Sequence, residues 1–218
     1  MDFQMSIIAI VQARMGSTRL KGKVLKKING VPLIKLLLIR LSKSTLLDKI
    51  IVATTSNKED IELKKYIKSI GYACEVGSEK NIMDRFIKVG AKNKAKTIVR
   101  ITGDCPLVDA KIVDKVINEF ITRKLDYVSN TYPPTFPDGL DVEVFKLSSL
   151  IEASNRTSKL YDLEHVTPYL RDSGYYKTYN IKNKKDYSHI RLTVDEIIDL
   201  NIIKNIFTYF HPNYYFSW

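Results

Sequence analysis

Several cationic side chains follow the first apolar run of the sequence. That run, residues 6–12 (SIIAIVQ), is rich in β-branched residues and predicts a buried strand. The segment behind it, residues 13–23 (ARMGSTRLKGK), combines small residues and two hydroxyls with Arg14, Arg19 and Lys23. Backbone N–H groups in such a loop form an anion-binding concavity, and each charge-assisted hydrogen bond adds about 1.5–3 kcal/mol. The loop is therefore predicted to bind phosphate groups, such as those of a triphosphate.

Two well-known phosphate-binding motifs do not match this loop. The P-loop places four residues between its glycines and a hydroxyl after its lysine, whereas five residues separate Gly16 from Gly22 and Val24 stands at the hydroxyl position. The dinucleotide-binding fingerprint fails as well, because Gly16 is the only glycine of the loop before Gly22. A metal-bound nucleotide at this loop therefore needs carboxylates from elsewhere in the chain to hold the metal.

Two aspartates stand at suitable places. Asp104 lies in a TGDCP segment directly after a predicted strand, and Asp195 ends an RLTVD segment before a predicted helix. Ligands of open α/β sheets bind at the carboxyl ends of the strands. Taken alone, Asp195 is more typical of a helix N-cap than of a ligand, and Asp104 is equally suited to capping a turn. From these residues alone, both interpretations stay open.

The composition is that of a globular protein with surplus positive charge. The chain has 218 residues, and 35 Lys+Arg against 24 Asp+Glu give a net charge of +11. That surplus is typical of proteins that bind nucleic acid, a membrane surface or a phosphorylated small molecule, although lysine runs usually form a solvated face. Two cysteines and three scattered histidines exclude a disulfide framework and a zinc motif and favour a cytoplasmic location. Residues 1–5 lack the basic region of a signal peptide, and Lys35 and Arg40 interrupt the most apolar segment, so no membrane partner is expected.

Strand and helix patterns alternate through the first 130 residues. Predicted strands lie at 6–12, 49–54, 73–76, 97–101 and 127–129, and predicted helices at 32–42, 61–70, 82–94 and 111–122. This alternation predicts an α/β fold, a three-layer αβα Rossmann-like arrangement around a mostly parallel sheet. Later strands are predicted at 141–145, 177–181 and 190–194, and later helices at 147–154, 163–172 and 196–209. We expect one domain over residues 1–218, with a nucleotide-binding half at about 5–130 and a smaller α+β lobe at about 131–218.

Several stretches together resemble one enzyme family. They are residues 11–25 (VQARMGSTRLKGKVL), 77–86 (GSEKNIMDRF), 100–107 (RITGDCPL), 137–145 (PDGLDVEVF), 161–169 and 191–195 (RLTVD). This set resembles the cytidylyltransferases that activate acidic sugars, the CMP-ketodeoxyoctonate and CMP-acylneuraminate synthetases, and is most similar to their spore-coat polysaccharide (SpsF-type) relatives. The resemblance runs from about residue 7 to residue 200. It implies a sheet of the nucleotide-diphospho-sugar transferase type and a homodimer formed through the second half.

The resemblance also assigns roles to individual residues. It implies Mg²⁺ ligands at Asp104 and Asp195, and catalytic roles for Arg14, Lys23 and Asp104. The residues implied in nucleotide binding are Ala13, Arg14, Gly16, Ser17, Arg19, Lys23, Asp84 and Arg85. Those implied in sugar binding are Asp138, Asp141, Glu143, His165 and Arg191. From the strand pattern alone, the buried Arg100 needs an acidic partner, for which Asp84 and Asp104 are candidates.

These inferences lead to one preferred function and two alternatives. The preferred function is Mg²⁺-dependent condensation of CTP with a sugar, expected to be acidic, which gives a CMP-sugar and pyrophosphate for surface polysaccharide or glycan synthesis. A glycosyltransferase of similar sheet architecture (GT-A type) is disfavoured because position 106 is proline, where such enzymes usually carry the second aspartate of an Asp-x-Asp motif. A non-catalytic nucleic-acid-binding protein is suggested by the charge, but the sequence lacks the aromatic or helix-turn-helix patterns of that class. The expected partners are therefore CTP, a sugar and a second copy of the chain, and not nucleic acid.

Overall fold

Successive aliphatic residues of the first strand face two different cores. Strand β1 (Ile7–Gln12) sends Ile7, Ala9 and Val11 into one buried cluster and Ile8 and Ile10 into another. Burial on both faces is typical of a parallel sheet covered by helices on either side. The computed structural model describes residues 6–218. The predictions that involve residues 1–5, namely the lack of a signal peptide and the start of the nucleotide-binding half, lie outside the described residues.

The strands build one large sheet and one short hairpin. The strands after β1 are β2 (Lys27–Ile28), β3 (Val31–Pro32), β4 (Lys49–Thr55), β5 (Ala73–Gly77), β6 (Thr97–Thr102), β7 (Tyr127–Ser129), β8 (Glu143–Lys146) and β9 (Thr178–Asn180). The large sheet has seven strands in the order β5-β4-β1-β6-β8-β7-β9, and β2 pairs only with β3. Its neighbouring strands are parallel, except where β8 pairs antiparallel with β6 and with β7. The predicted α/β fold with a mostly parallel sheet is confirmed.

Helices connect the strands and cover both faces of the sheet. The α-helices are α1 (Leu33–Leu41), α2 (Asp60–Ser69), α3 (Ile82–Lys92), α4 (Ala110–Thr122), α5 (Leu147–Arg156), α6 (Leu160–His165), α7 (Pro168–Asp172) and α8 (Ile197–Phe210), and a 3₁₀ turn spans Lys23–Leu25. Helices α1 and α4 pack on one face with the larger core, and α3 and α5 pack on the other. In the part of the chain that is described, no helix is both long and apolar enough to cross a membrane.

The second half of the chain contributes strands to the same sheet as the first half. Strand β8 lies between β6 and β7, and β9 forms the outer edge next to β7. The strands after residue 130 therefore form backbone hydrogen bonds with strands of the predicted nucleotide-binding half. The division into a nucleotide-binding half and a sugar-binding lobe stays a prediction about function.

Two predicted elements differ from the structure. Residues 190–194 do not form a strand, because their backbone groups bond to loops: the N–H of Leu192 donates to Asp138 O at 2.7 Å, and that of Val194 donates to Asp104 O at 2.8 Å. The helix predicted at 163–172 is two short helices, α6 and α7, separated at Val166, whose φ of 73° is incompatible with a continuous helix. This break directs the hydroxyl of Thr167 toward Glu143. The hairpin β2–β3 was not predicted.

Candidate active site

One lysine joins three distant segments at the carboxyl edge of the sheet. The ammonium of Lys23 donates to Asp104 Oδ2 at 2.8 Å, to Asp195 Oδ1 at 2.9 Å and to the backbone oxygen of Val194 at 2.8 Å. Lys23 follows the loop after β1, Asp104 follows β6, and Asp195 precedes α8. The first loop and both candidate metal ligands therefore meet at a single atom.

The pKa values of this cluster follow from its ion pairs. Burial alone would lower the pKa of Lys23, but the carboxylates of Asp104 and Asp195 outweigh it and hold that pKa above its usual value. Burial would raise the pKa of Asp195, but the hydrogen bond from Lys23 and the charges of Arg191 and Arg19 hold it below its usual range. Lys23 is therefore a fixed cation and Asp195 a fixed anion at neutral pH.

Two further arginines share the carboxylate of Asp195. Arg19 Nη2 lies 3.0 Å from Asp195 Oδ1, and Arg191 Nη2 lies 2.5 Å from Asp195 Oδ2. Arg191 also contacts Asp138 at 3.4 Å and Asp199 at 3.2 Å. The helix α8 does not use Asp195 as its cap, because Glu196 and Asp199 form its capping box. The Asp195 side chain therefore faces the cations of the crevice and does not cap the helix, against its interpretation as an N-cap.

Close backbone packing sets the position of Asp104. Gly103 follows β6, and its N–H donates to the backbone oxygen of Gln12 at 2.7 Å. A Cβ at Gly103 would lie 2.7 Å from the Cβ of Ala13, so only glycine allows this approach. The ends of β1 and β6 therefore touch, which brings Asp104 beside the basic loop.

A buried carboxylate holds the start of the basic loop. Asp60, at the beginning of α2, accepts a hydrogen bond from the N–H of Met15 at 2.6 Å and another from the hydroxyl of Thr55. Arg14 extends from this loop toward solvent and pairs with Glu79 at 3.0 Å. Asp60 gave no functional signal in the sequence, because Met15, its partner in the basic loop, is 45 residues away in the chain.

Arg85 is the most unusual side chain of the crevice. It lies in the first turn of α3 with 1% of its surface exposed, yet among the described residues 6–218 its Nε and Nη1 atoms have no hydrogen-bond partner. Burial, together with the nearby charge of Arg14, lowers the pKa of Arg85 to about 10. A buried guanidinium without partners is costly, so this group is suited to a ligand that brings its own acceptors.

These residues surround a polar cavity of about 250 Å³ at the edge of the sheet. Of the residues predicted to bind nucleotide, it is lined by Ala13, Arg14, Ser17, Arg19, Lys23 and Arg85, together with Asp104 and Asp195. The predicted residue Gly16 does not line it; Gly16 packs against Glu59, whose carboxylate a Cβ would strike. Asp84 does not line it either, because its carboxylate pairs with Lys88 at 2.7 Å on the surface of α3. Gln12, Thr18 and Thr102 line the cavity and were not predicted.

A second polar cavity of about 210 Å³ lies beside the first, and Thr102 lines both. Of the residues predicted to bind sugar, it is lined by Asp141, Glu143 and His165. Asp138 and Arg191 do not line it and pair with each other instead. Arg100, Thr131, Tyr161, Thr167 and Arg171 also line this cavity, and none of them was predicted to contact substrate.

Arg100 pairs with a residue that the sequence did not suggest. Its Nη1 contacts Glu143 Oε2, and the other carboxylate oxygen of Glu143 accepts hydrogen bonds from the hydroxyls of Tyr127, at 2.8 Å, and Thr167. Burial would raise the pKa of Glu143, but Arg100 and these hydroxyls hold it below its usual range. The expected pairing of Arg100 with Asp84 or Asp104 is wrong, because β8 lies against β6 and places Glu143 opposite Arg100.

Comparison with known proteins identifies the family. Residues 8–210 match the family model described as cytidylyltransferase. This chain belongs to the cytidylyltransferase family. The spore coat polysaccharide biosynthesis protein SpsF of Bacillus subtilis (strain 168) is 34% identical over 210 residues, which cover 92% of this chain and 86% of that protein. The family resemblance expected from the sequence motifs is confirmed, and with it the assignment as a nucleotidyltransferase enzyme.

Solved structures of cytidylyltransferases share the fold. A cytidylyltransferase from Leptospira borgpetersenii serovar Hardjo-bovis is 32% identical, with a TM-score of 0.93 over 98% of this chain and 90% of that chain. The structure of CMP:2-keto-3-deoxy-manno-octonic acid synthetase complexed with CTP has a TM-score of 0.71 at 16% identity, over 93% of this chain and 98% of that chain. The second likeness extends the shared fold to a protein that holds CTP.

The carboxylates of this cytidylyltransferase fit a divalent cation that arrives with a nucleotide. Within residues 6–218 no group of three or more His, Cys, Asp or Glu side chains is arranged to hold a metal by itself. Asp104 and Asp195 nevertheless converge on one cation, the Lys23 ammonium. Because Mg²⁺ takes one or two carboxylates and completes its shell with water and phosphate oxygens, two aspartates are a sufficient protein contribution.

Proposed function

We propose that this cytidylyltransferase condenses CTP with a sugar hydroxyl in a Mg²⁺-dependent reaction that gives a CMP-sugar and pyrophosphate. The observation that carries the proposal is the convergence of Asp104 and Asp195 on Lys23, in a cavity that Arg14 and Arg19 of the basic loop also line. Carboxylates for a metal and cations for phosphates thus line one cavity. The CTP named in the structural relative and the match to the cytidylyltransferase family support the choice of nucleotide.

The chain's own residues supply binding and charge neutralisation. Arg14, Arg19 and Lys23 bind the triphosphate and stabilise the charge that develops on pyrophosphate, while Arg85 donates to acceptor oxygens of the nucleotide from its buried position. Asp104 and Asp195 hold Mg²⁺, which when bound neutralises phosphate charge and lowers the pKa of the attacking hydroxyl. No covalent intermediate is required, because positioning the hydroxyl in line with the α-phosphate supplies much of the rate.

The acceptor is assigned to the second cavity, where Asp141, Glu143 and His165 meet Arg171. An acidic sugar is the preferred class, because Arg171, which also pairs with Asp172, lines this cavity, and Arg191 lies 2.5 Å from Asp195, which lines the first cavity. The SpsF relative, named for spore coat polysaccharide biosynthesis, supports a role in surface polysaccharide or glycan synthesis.

A substrate matrix tests the reaction. Each of CTP, UTP, ATP and GTP is combined with acidic sugars, including 3-deoxy-manno-octulosonate and N-acetylneuraminate, and with amino sugars, and pyrophosphate release is measured with Mg²⁺ and with EDTA. We expect release only with CTP, Mg²⁺ and an acidic sugar. Release with another nucleotide would contradict the choice of base, and transfer of sugar from a nucleotide-sugar without pyrophosphate release would favour the glycosyltransferase alternative.

The metal assignment has its own test. Asp104→Asn should lower turnover by at least about 100-fold, because it removes one ligand and leaves the Lys23 charge partly uncompensated. Asp186→Asn makes the same chemical change on an exposed loop outside both cavities, where its carboxylate bonds only to Ser188 nearby. If Asp104→Asn kept the turnover of the wild type, the assignment of Asp104 as a metal ligand would be wrong.

We also propose that the protein is a homodimer in the cytoplasm. The outer side of α8 exposes Ile198, Ile202 and Tyr209 at 62%, 44% and 83%, which suits an interface between two copies. The cysteines Cys74 and Cys105 are both free and buried, as in proteins of reducing compartments. Light scattering of the wild type and of Ile198→Asp tests the dimer, which the charged variant should shift toward monomer.

A further inference from the structure

Asp141 is a carboxylate without a partner. It lines the second cavity just before β8 and, within residues 6–218, accepts no hydrogen bond and forms no ion pair. Its sequence neighbour Glu143 lines the same cavity but is fully occupied by Arg100, Tyr127 and Thr167. The two acidic residues that face the acceptor cavity therefore differ: Glu143 has structural partners, and Asp141 is available to a ligand.

The backbone around Asp141 is held rigidly. The side chain of Asn130 accepts a hydrogen bond from the N–H of Val142 at 2.8 Å and donates one to the backbone oxygen of Leu140 at 2.9 Å. Leu140 and Val142 are themselves completely buried in the core. Because side chains alternate along extended chain, Asp141 faces the cavity on the side opposite to these two anchors. Its position is thus set before any ligand arrives.

Asp141 lines the second cavity and lies near the carboxylate of Asp104, which lines the first. Thr102 lines both cavities, and Asp141 is close enough to Asp104 for their charges to interact. The hydroxyl that attacks the α-phosphate must reach the boundary between the two cavities, because it belongs to the acceptor but reacts with the nucleotide. The Asp141 carboxylate, in the second cavity and within charge-interaction range of Asp104, is placed to accept the proton of that hydroxyl.

The surroundings of Asp141 shift its pKa toward the range in which a carboxylate can accept a proton at neutral pH. Burial raises the pKa of Asp141 to about 7, and the negative charges of Asp138 and Glu143 add to the effect. Arg100 lowers it and Asp104 raises it slightly. The other titratable groups of the cavity are Tyr161, His165 and Arg171. General bases act best when their pKa lies near the working pH.

We propose that Asp141 is the general base of the reaction, accepting the proton of the acceptor hydroxyl as it attacks. The inference rests on the proposed function. In the step, the acceptor O–H bond breaks and its proton moves to a carboxylate oxygen of Asp141. The acceptor oxygen forms a bond to the α-phosphorus, the bond from that phosphorus to the bridging oxygen breaks, and pyrophosphate leaves with the electron pair. Asp141 then releases the proton to solvent.

The experiment compares pH profiles of turnover for the wild type and Asp141→Asn, with CTP, Mg²⁺ and the acceptor that gives turnover in the substrate matrix. The wild type should lose activity below an inflection near pH 7, because protonated Asp141 cannot accept the proton. Asp141→Asn should lower kcat by about 100-fold or more, leave KM for the acceptor within about threefold, and lack the acidic limb. Circular dichroism should show that the isosteric variant is folded.

His165→Asn is the matched variant, because His165 lines the same cavity and histidine is the residue type most often used for proton transfer near neutral pH. The turnover of His165→Asn should still decrease at acidic pH as that of the wild type does, whatever the effect of the substitution on KM. The proposal is overturned if Asp141→Asn keeps wild-type kcat, if it raises only KM, or if His165→Asn and not Asp141→Asn loses the limb. A wild type without turnover for any nucleotide and sugar contradicts the proposed function, and with it this inference. A normal wild type with an unaffected Asp141→Asn contradicts this inference alone.

Discussion

Two arginines of the crevice differ in how their charge is compensated. Arg100 is paired with Glu143 and lies 3.4 Å from the side-chain oxygen of Gln12. Arg85 is more deeply buried, yet two of its nitrogen atoms lack hydrogen-bond partners in the part of the chain that the structure describes. Removing one partner of a buried ion pair leaves the other charge uncompensated, which destabilises the fold. Removing a buried charge that has no hydrogen-bond partner eliminates an uncompensated charge, which stabilises it. The two positions therefore predict opposite effects of the same substitution.

Arg85→Met should stabilise the free protein and weaken nucleotide binding. Leaving a buried polar group unsatisfied costs about 1–3 kcal/mol, so its removal should raise the free energy of unfolding by a similar amount. Loss of one charge-assisted hydrogen bond to the nucleotide should weaken CTP binding by roughly 10- to 100-fold. Urea unfolding and calorimetric titration with CTP measure the two effects. Arg100→Met is the control, because it leaves the Glu143 carboxylate without its cationic partner and should lower the free energy of unfolding by about 3–5 kcal/mol. A destabilised Arg85→Met protein would contradict this account.

At the scale of elements, the crevice depends on contacts between strand ends. Gly103→Ala places a Cβ against Ala13 and against the backbone oxygen of Gln12, 2.9 Å away. The strand ends must move apart, so we expect a loss of about 1–3 kcal/mol in stability together with reduced turnover, because Asp104 moves with Gly103. Thermal unfolding and pyrophosphate release check both. Gly30→Ala is the control: its φ of 81° strains any other residue by about 1–2 kcal/mol, but its Cβ meets nothing and turnover should persist.

The cap of α8 links helix stability to the position of Asp195. Asp199 accepts hydrogen bonds from the N–H groups of Asp195 and Glu196, both at 2.9 Å. Burial would raise the pKa of Asp199, but these bonds and Arg191 lower it below its usual range. A lowered carboxyl pKa stabilises the fold above the unfolded value of about 3.9, and this stabilisation disappears as the pH falls through the lowered value.

Asp199→Ala should therefore destabilise the protein by about 0.5–2 kcal/mol at pH 7. The difference from the wild type should shrink in acid, as the pH falls below the unfolded value of about 3.9 and then through the lowered pKa of Asp199. Denaturant unfolding over a series of pH values from 7 into this acid range measures the effect. A difference that persists unchanged in acid would show that Asp199 acts through packing alone.

Local patterns predicted most elements, and long-range pairing decided the rest. The β-branched runs of β1, β4 and β6 and the glycine after α2 are local signals, and the structure has these elements within a few residues of their predicted ends. The run at 190–194 has the same local character but no strand beside it, because its hydrogen bonds go to loops that are distant in the sequence.

The candidate site divides in the same way. The basic loop and both aspartates were visible as motifs, and they meet in one cavity. The Arg100–Glu143 pair depends on β8 inserting antiparallel beside β6, and the Asp60 contact depends on α2 packing against the loop. Such pairings cannot be found from spacing, because they follow from tertiary packing between segments that share no local pattern.

At the scale of the whole molecule, the net charge of +11 suggested an anionic partner but not its size. Many lysines lie on exposed positions of helices such as α2, where they cover the surface without converging. Arg14, Arg19, Lys23 and Arg85 converge on one cavity of about 250 Å³. A cavity of that size with several cations suits a nucleotide better than the backbone of a nucleic acid, which needs an extended surface.

Thermal unfolding with different anions tests this distinction. A ligand that binds only the folded state at 100 times its Kd adds about 2.7 kcal/mol, and 1 kcal/mol shifts Tm by about 2–4 °C in a protein of this size. CTP with Mg²⁺ should therefore raise Tm by about 5–10 °C, with saturation, and the shift should persist at 0.3 M salt because the cavity is partly closed to solvent. Duplex DNA should produce a smaller shift that vanishes at that salt concentration. Asp104→Asn together with Arg85→Met should abolish the CTP shift while leaving the DNA response unchanged. A DNA shift larger than the CTP shift would instead assign the positive charge to a nucleic-acid surface.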